Sequence, residues 1–115
     1  MSTTIYHNPR CSKSRQTLQL LIDNDVEPVV IEYLKLPPSA QTLDKILTQL
    51  NLEPRELMRK KEAPYRENSL DDPALTRAEL IAAMVQNPIL IERPIVTHGN
   101  RAAIGRPPES VLEII

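Results

Sequence analysis

The chain has 115 residues, 41% of them hydrophobic and 25% charged, with a formal net charge of -1. A single cysteine, Cys11, excludes a disulfide scaffold, and with only two glycines, Gly99 and Gly105, a Gly-rich phosphate loop is excluded too. No apolar run approaches the ~18 residues of a membrane-spanning helix, and the near-neutral charge offers no general attraction to nucleic acid or an anionic membrane.

The N-terminal residues MSTTIYHNPRC lack the apolar stretch of a secretory signal. The cytoplasm is therefore the expected location, where a lone thiol stays reduced. Residues 3–7 (TTIYH) are rich in β-branched and aromatic side chains and predict a strand, ended by Asn8-Pro9. Residues 11–24 follow with Leu18, Leu21 and Ile22 at helical spacing. Val29, Val30, Ile31 and Tyr33 predict a second strand, apolar enough to be buried on both faces. Strand, helix and strand in about 30 residues make a βαβ unit, so these two strands should be parallel with a right-handed crossover.

Ser39 is a candidate N-cap after Pro37-Pro38, followed by the helical stripe Leu43, Ile46, Leu47 and Leu50. Pro54 can open a short helix containing Glu56, Leu57 and Met58, and residues 60–72 are polar and turn-rich. Thr76 and Glu79 have capping-box spacing ahead of Leu80, Ile81 and Met84, and Asn87-Pro88 ends that helix. Residues 37–90 thus read as a helical insert between strands. Ile89-Leu90-Ile91 is a short apolar run. Residues 95–97 and 101–104 predict a hairpin about His98-Gly99-Asn100. Pro107-Pro108-Glu109 opens a last helix carrying Val111, Leu112 and Ile115. The order β-α-β, helices, β-β-α predicts one α/β domain over residues 1–115. A monomer is expected, because no apolar stripe is left over.

The strongest chemical feature is HNPRCSKSR, residues 7–15. It puts Cys11 where a strand ends and a helix begins. Free backbone N–H groups and the positive end of the helix dipole favour an anion there, either the thiolate or an oxyanion beside it. Arg10, Lys13 and Arg15 add local positive charge, and a lowered pKa makes a cysteine nucleophilic. Ser14, three residues on, is spaced for its hydroxyl to reach the sulfur. It also occupies the second position of a C-x-x-C motif, so no local disulfide can close. A small cysteine packed at a helix start fits the same residues. His7 is a candidate partner for Cys11, although a strand histidine can equally pack or bond backbone. Cys11, His7 and His98 give at most three ligands without zinc-site spacing, so no metal is expected. Arg59, Arg93 and Arg106 are candidate oxyanion ligands, since guanidinium forks suit tetrahedral anions, but spacing alone does not bring them together. Local preference for the Arg93-Pro94 bond is trans, because only ~5–6% of X-Pro bonds are cis.

HNPRCSKSR, LMRK ending at residue 60, NPILIERPIV and GRPPESVLEII together resemble the glutathione- and glutaredoxin-coupled arsenate reductases, over essentially the whole chain. The resemblance implies a thioredoxin-like mixed sheet with an inserted helical subdomain. It implies that Cys11 attacks arsenate, that Arg59, Arg93 and Arg106 surround the oxyanion, and that His7 and Ser14 tune the cysteine. It further implies that Pro94 is a structural cis-proline. Glutathione would act as co-substrate to resolve the adduct and glutaredoxin as reductant, with no bound cofactor. Two alternatives stand beside this reading: a glutathione-dependent thiol oxidoreductase of another substrate, and a thiol-sensing regulator that binds RNA polymerase, as transcription-regulator relatives of the family do. Many of those regulators carry C-x-x-C, so Ser14 speaks against a disulfide switch.

Overall fold

The computed structural model describes residues 2–115, which form two compact units. Of the described residues, the first comprises 2–36 with Arg93–Ile115, and the second comprises Pro37–Glu92. In the first unit, β1 (Thr3–His7), α1 (Ser12–Asp23) and β2 (Val29–Glu32) are followed, after the second unit, by β3 (Ile95–His98) and β4 (Arg101–Ile104). The strands form one sheet in the order β2-β1-β3-β4. β1 and β2 are parallel with Ile5 opposite Val30, as the βαβ reading requires, while β1–β3 and β3–β4 are antiparallel. The result is a mixed α/β sheet of the thioredoxin-like kind.

One side of this sheet holds the core: Ile5, Leu21, Val96, Val111 and Ile114, with Leu18, Val26 and Ala103 packed against them. Each fully buried aliphatic side chain of this kind contributes roughly 1.5–3 kcal/mol. The last helix is a 3-10 helix, Pro108–Ile114, not an α-helix. Pro108, Val111 and Ile114 are its buried residues, three apart, and a helix of three residues per turn puts such a set on one face.

The expectation that β2 is buried on both faces is wrong. Val29 and Val30 are 56% and 46% exposed. β2 is the edge strand, and an edge strand is covered less completely than a strand flanked on both sides. Its neighbour β1 takes the central place, with Ile5, Tyr6 and His7 buried.

In the second unit, α2 (Ala40–Leu50) is capped by Ser39, whose hydroxyl accepts the Thr42 N–H. α3 (Ala63–Glu67) lies in the stretch read as turns, and it buries none of its residues, so there was no apolar stripe to reveal it. α4 (Arg77–Gln86) begins with the reciprocal Thr76–Glu79 capping box. α2 and α4 pack through Leu43, Ile46, Leu47, Leu80, Ile81 and Met84, all buried. The Arg77–Asp44 ion pair at 2.7 Å links the two helices at the surface. Pro54–Leu57 and Pro88–Leu90 are single 3-10 turns. The segments after them pair like strands: Arg59 N–H donates to Leu90 O at 2.7 Å and Glu92 N–H to Leu57 O at 2.8 Å. The unit is therefore helical with one two-stranded seam. Among the described residues no helix is long and apolar enough to cross a membrane.

Candidate active site around Cys11

β1 leads straight into the site. Its burial ends at His7, and the next four residues form the loop to α1. Cys11 is the N-cap of that helix, with extended backbone angles, and its side chain caps no N–H. The loop is a tight turn: Cys11 N–H donates to Asn8 O at 3.0 Å, and the Asn8 side-chain oxygen accepts Arg10 N–H at 3.0 Å. An Asn side chain that bonds two residues ahead mimics a backbone turn, which is why Asn8 suits this place.

α1 holds the loop from below. Ser14 is fully buried, and its hydroxyl oxygen accepts the Asn8 N–H at 3.0 Å and shares a 2.6 Å hydrogen bond with His7 Nδ1. Arg15 reaches back to donate from Nη1 to Pro9 O at 2.9 Å. The Ser14 hydroxyl is thus spent on His7 and the loop. The expectation that it bonds the sulfur gives way to another arrangement, in which the first-turn N–H groups of Ser14 and Lys13 lie close enough to favour the thiolate without closing a cap hydrogen bond. A hydroxyl has a single hydrogen, and a buried histidine beside it competes for that bond.

Arg106 Nη2 lies 3.6 Å from Cys11 Sγ, and its Nε donates to Arg93 O at 2.7 Å. One arginine therefore bridges the sulfur and the backbone of a second arginine. Burial of the sulfur acts to raise the thiol pKa. The Ser14 N–H, the Arg93 charge, the Lys13 N–H and the Arg106 charge act the other way and prevail, leaving the pKa below its ordinary value. His7 is also shifted down, first by burial and further by Arg15, against the opposing pull of Glu32. A neutral His7 suits its place among buried groups.

The Arg93-Pro94 peptide is cis, as the resemblance implied and local preference did not. Arg106-Pro107 is cis as well, which the sequence reading did not anticipate. Gly105 N–H donates to Pro94 O at 2.9 Å, so the residue before Arg106 is tied to the residue after Arg93. A Cβ added at Gly105 would run into Thr17 Oγ1 and Pro94 Cγ. Gly105 and the buried Thr17 were missed as site-shaping residues. The available signal was a glycine at a strand end, which marks close backbone approach.

Cys11, His7, Ser14, Arg93, Pro94 and Arg106 all belong to the first unit. Arg59 belongs to the second, where its guanidinium pairs with Glu62 at 3.1 Å. His98 sits at the other end of β1 from the loop, with Nδ1 2.7 Å from Thr3 Oγ1. Among the described residues no group of three or more His, Cys, Asp or Glu is placed to hold a metal.

Comparison with known proteins extends this picture. The ArsC family model matches residues 6–114. The chain is 57% identical over 112 residues to the Escherichia coli K12 protein YfgD, covering 96% of this chain and 94% of that protein. It is 47% identical over 116 aligned positions to an arsenate reductase of Haemophilus influenzae, covering all of both chains. A solved arsenate reductase structure from Vibrio cholerae superposes with a TM-score of 0.96 at 52% identity, covering 100% of this chain and 98% of that one.

Proposed function

Because the chain belongs to the ArsC family, we propose that it reduces arsenate to arsenite through Cys11, in the cytoplasm, with glutathione and glutaredoxin as the source of electrons. The observation that carries the reading is a sulfur with a lowered pKa held 3.6 Å from the Arg106 guanidinium at a helix start. Arsenate is an anion at neutral pH, and a thiolate must approach it. The like-charge repulsion is offset only where fixed positive groups surround both. Arg93, Arg106 and the N–H groups of α1 supply them without needing to reorganise.

The Cys11 thiolate attacks arsenic(V), an S–As bond forms, and an arsenate oxygen leaves as water after protonation. A glutathione thiolate then attacks Sγ. The S–As bond breaks with its electron pair going to arsenic, which leaves as arsenite, arsenic(III). Cys11 remains in a mixed disulfide with glutathione. Glutaredoxin removes that glutathione and restores the thiol. The absence of a second cysteine suits a scheme in which the resolving thiol comes from outside. His7 and Ser14 act here as positioning residues that fix the loop. No resident cofactor or metal is required, and the protein works as a monomer.

A coupled assay tests the reading. The protein is mixed with arsenate, glutathione, glutaredoxin, glutathione reductase and NADPH, with Cys11→Ser as control. Arsenate-dependent NADPH oxidation that requires Cys11 is expected. A flat trace from protein whose thiol still titrates would reject arsenate as substrate and turn attention to glutathionylated compounds.

A further inference from the structure

The first unit has a cavity of about 220 Å³ that the oxyanion chemistry does not use. His7, Asn8, Pro9 and Arg10 form one wall, and Glu32, Leu34 and Lys35 form the other. These are the carboxyl ends of the parallel pair β1 and β2. Ligands of open α/β sheets bind in the crevice outside such ends. The lining carries two cations, Arg10 and Lys35, and one carboxylate, Glu32, which lies 3.6 Å from Lys35 at the surface. That set complements a zwitterion carrying one carboxylate and one ammonium.

The position matters as much as the charge. Arg93 and Arg106 flank β3 and β4, whereas the cavity lies at the ends of β1 and β2, in the other half of the sheet order β2-β1-β3-β4. Displacement at sulfur is in-line. If the arginines hold arsenic on one side of Sγ, the attacking thiolate must come from the other. The cavity wall reaches Arg10, the neighbour of Cys11, and consecutive Cα atoms are only ~3.8 Å apart. The volume is below the ~300–1,000 Å³ of sites that enclose a whole drug-sized ligand, so it suits one arm of a tripeptide.

We propose that this cavity seats the γ-glutamyl end of glutathione, with the α-carboxylate on Arg10 and Lys35 and the α-ammonium on Glu32, and that it directs the glutathione thiolate onto Cys11 Sγ. The identity of the incoming thiol rests on the reductase reading above. In the step so directed, the new S–S bond forms between glutathione and Cys11. The S–As bond breaks, its electron pair reduces arsenic(V) to arsenic(III), and Cys11 is left in the mixed disulfide.

The test uses S-methylglutathione, which cannot react, titrated into the nitrogen-labelled full chain and followed by amide resonances. Shifts are expected at Asn8, Arg10, Leu34 and Lys35. γ-Glutamyl-S-methylcysteine should reproduce them, and S-methylcysteinylglycine, which lacks the γ-glutamyl end, should not. Glu32→Gln and Lys35→Gln should each weaken S-methylglutathione binding about three- to fivefold, the range of an exposed charge contact. Shifts confined to other residues, equal binding of S-methylcysteinylglycine, or unchanged affinity in both variants would overturn the assignment. Binding at this cavity without arsenate turnover would sink the reductase reading and leave the seat standing. Glutathione-dependent arsenate turnover without binding here would sink the seat alone.

Discussion

Two histidine–hydroxyl pairs sit at the two ends of β1. At one end Thr3 Oγ1 meets His98 Nδ1 at 2.7 Å, and at the other Ser14 Oγ meets His7 Nδ1 at 2.6 Å. The bonds are nearly the same length and join the same kinds of atom. The first is a cross-strand pair between β1 and β3, part-buried, next to the hairpin turn. The second is buried, and its serine also takes the Asn8 N–H of the cysteine loop. The difference lies in what else each hydroxyl holds. Thr3 pins a hairpin, whereas Ser14 pins the backbone from which Cys11 projects.

The largest expected effect comes from removing the sulfur that this arrangement serves. Cys11→Ser should abolish arsenate turnover while the amide spectrum keeps its native dispersion. Loss of the native spectrum would instead make Cys11 a packing residue.

Arg106→Ala tests the other wall of the site. It should lower kcat/KM for arsenate about ten- to a hundredfold, as expected for a charge-assisted contact worth ~1.5–3 kcal/mol. It should also move the Cys11 pKa upward in a thiolate titration, because the Arg106 charge is one of the groups holding it down. Unchanged kinetics would refute its role.

The comparison itself is broken or sharpened by two hydroxyl deletions. Ser14→Ala leaves His7 and the Asn8 N–H without their buried partner, which should cost about 1–3 kcal/mol in denaturant unfolding. It should also slow turnover and raise the Cys11 pKa by loosening the loop. Thr3→Val should cost less, about 0.5–1.5 kcal/mol, and leave the thiolate titration unmoved. Equal effects of the two on the Cys11 pKa would erase the distinction.

The smallest expected effect is the pH dependence of stability. Both His7 and Cys11 have folded-state pKa values below their ordinary ones. A depressed pKa stabilises the fold above the unfolded value and loses that contribution as pH falls toward the folded one. The Cys11 contribution should fade below an unfolded thiol pKa of ~8.5, and the His7 contribution below ~6.5. Denaturant midpoints of the wild type and Cys11→Ser across this range separate the two. A Cys11→Ser profile that keeps the full decline above neutral pH would reject the thiolate's share.

Much of the fold was legible because it rests on local rules. The Ser39 cap, the Thr76–Glu79 capping box, the Asn87-Pro88 stop and a hairpin turn about Gly99 each use local chemistry within four residues, although His98, read as part of the turn, ends β3. What escaped was the absence of a pattern or the effect of position. α3 buries nothing and so shows no stripe, and β2 is apolar yet exposed because it is the edge strand. At the site, Cys11 was legible as the only cysteine at a strand-to-helix junction. Ser14 was legible as a partner but not for its actual bond, since the competition between sulfur and His7 for one hydroxyl is settled only by the placement of β1 against α1.

By itself, then, the sequence determined the strands, the capped helices, the lone cysteine at a strand-to-helix junction and the local charge around it. Periodicity, caps and turns act over a few residues and survive in any tertiary setting. Only the folded chain decided that Arg106 Nη2 stands 3.6 Å from Cys11 Sγ across 95 residues of separation, with Gly105 pressed against Thr17 and Pro94 to hold it there. Interatomic distances of that kind depend on how sheet and helix close on one another, and no short-range rule encodes them.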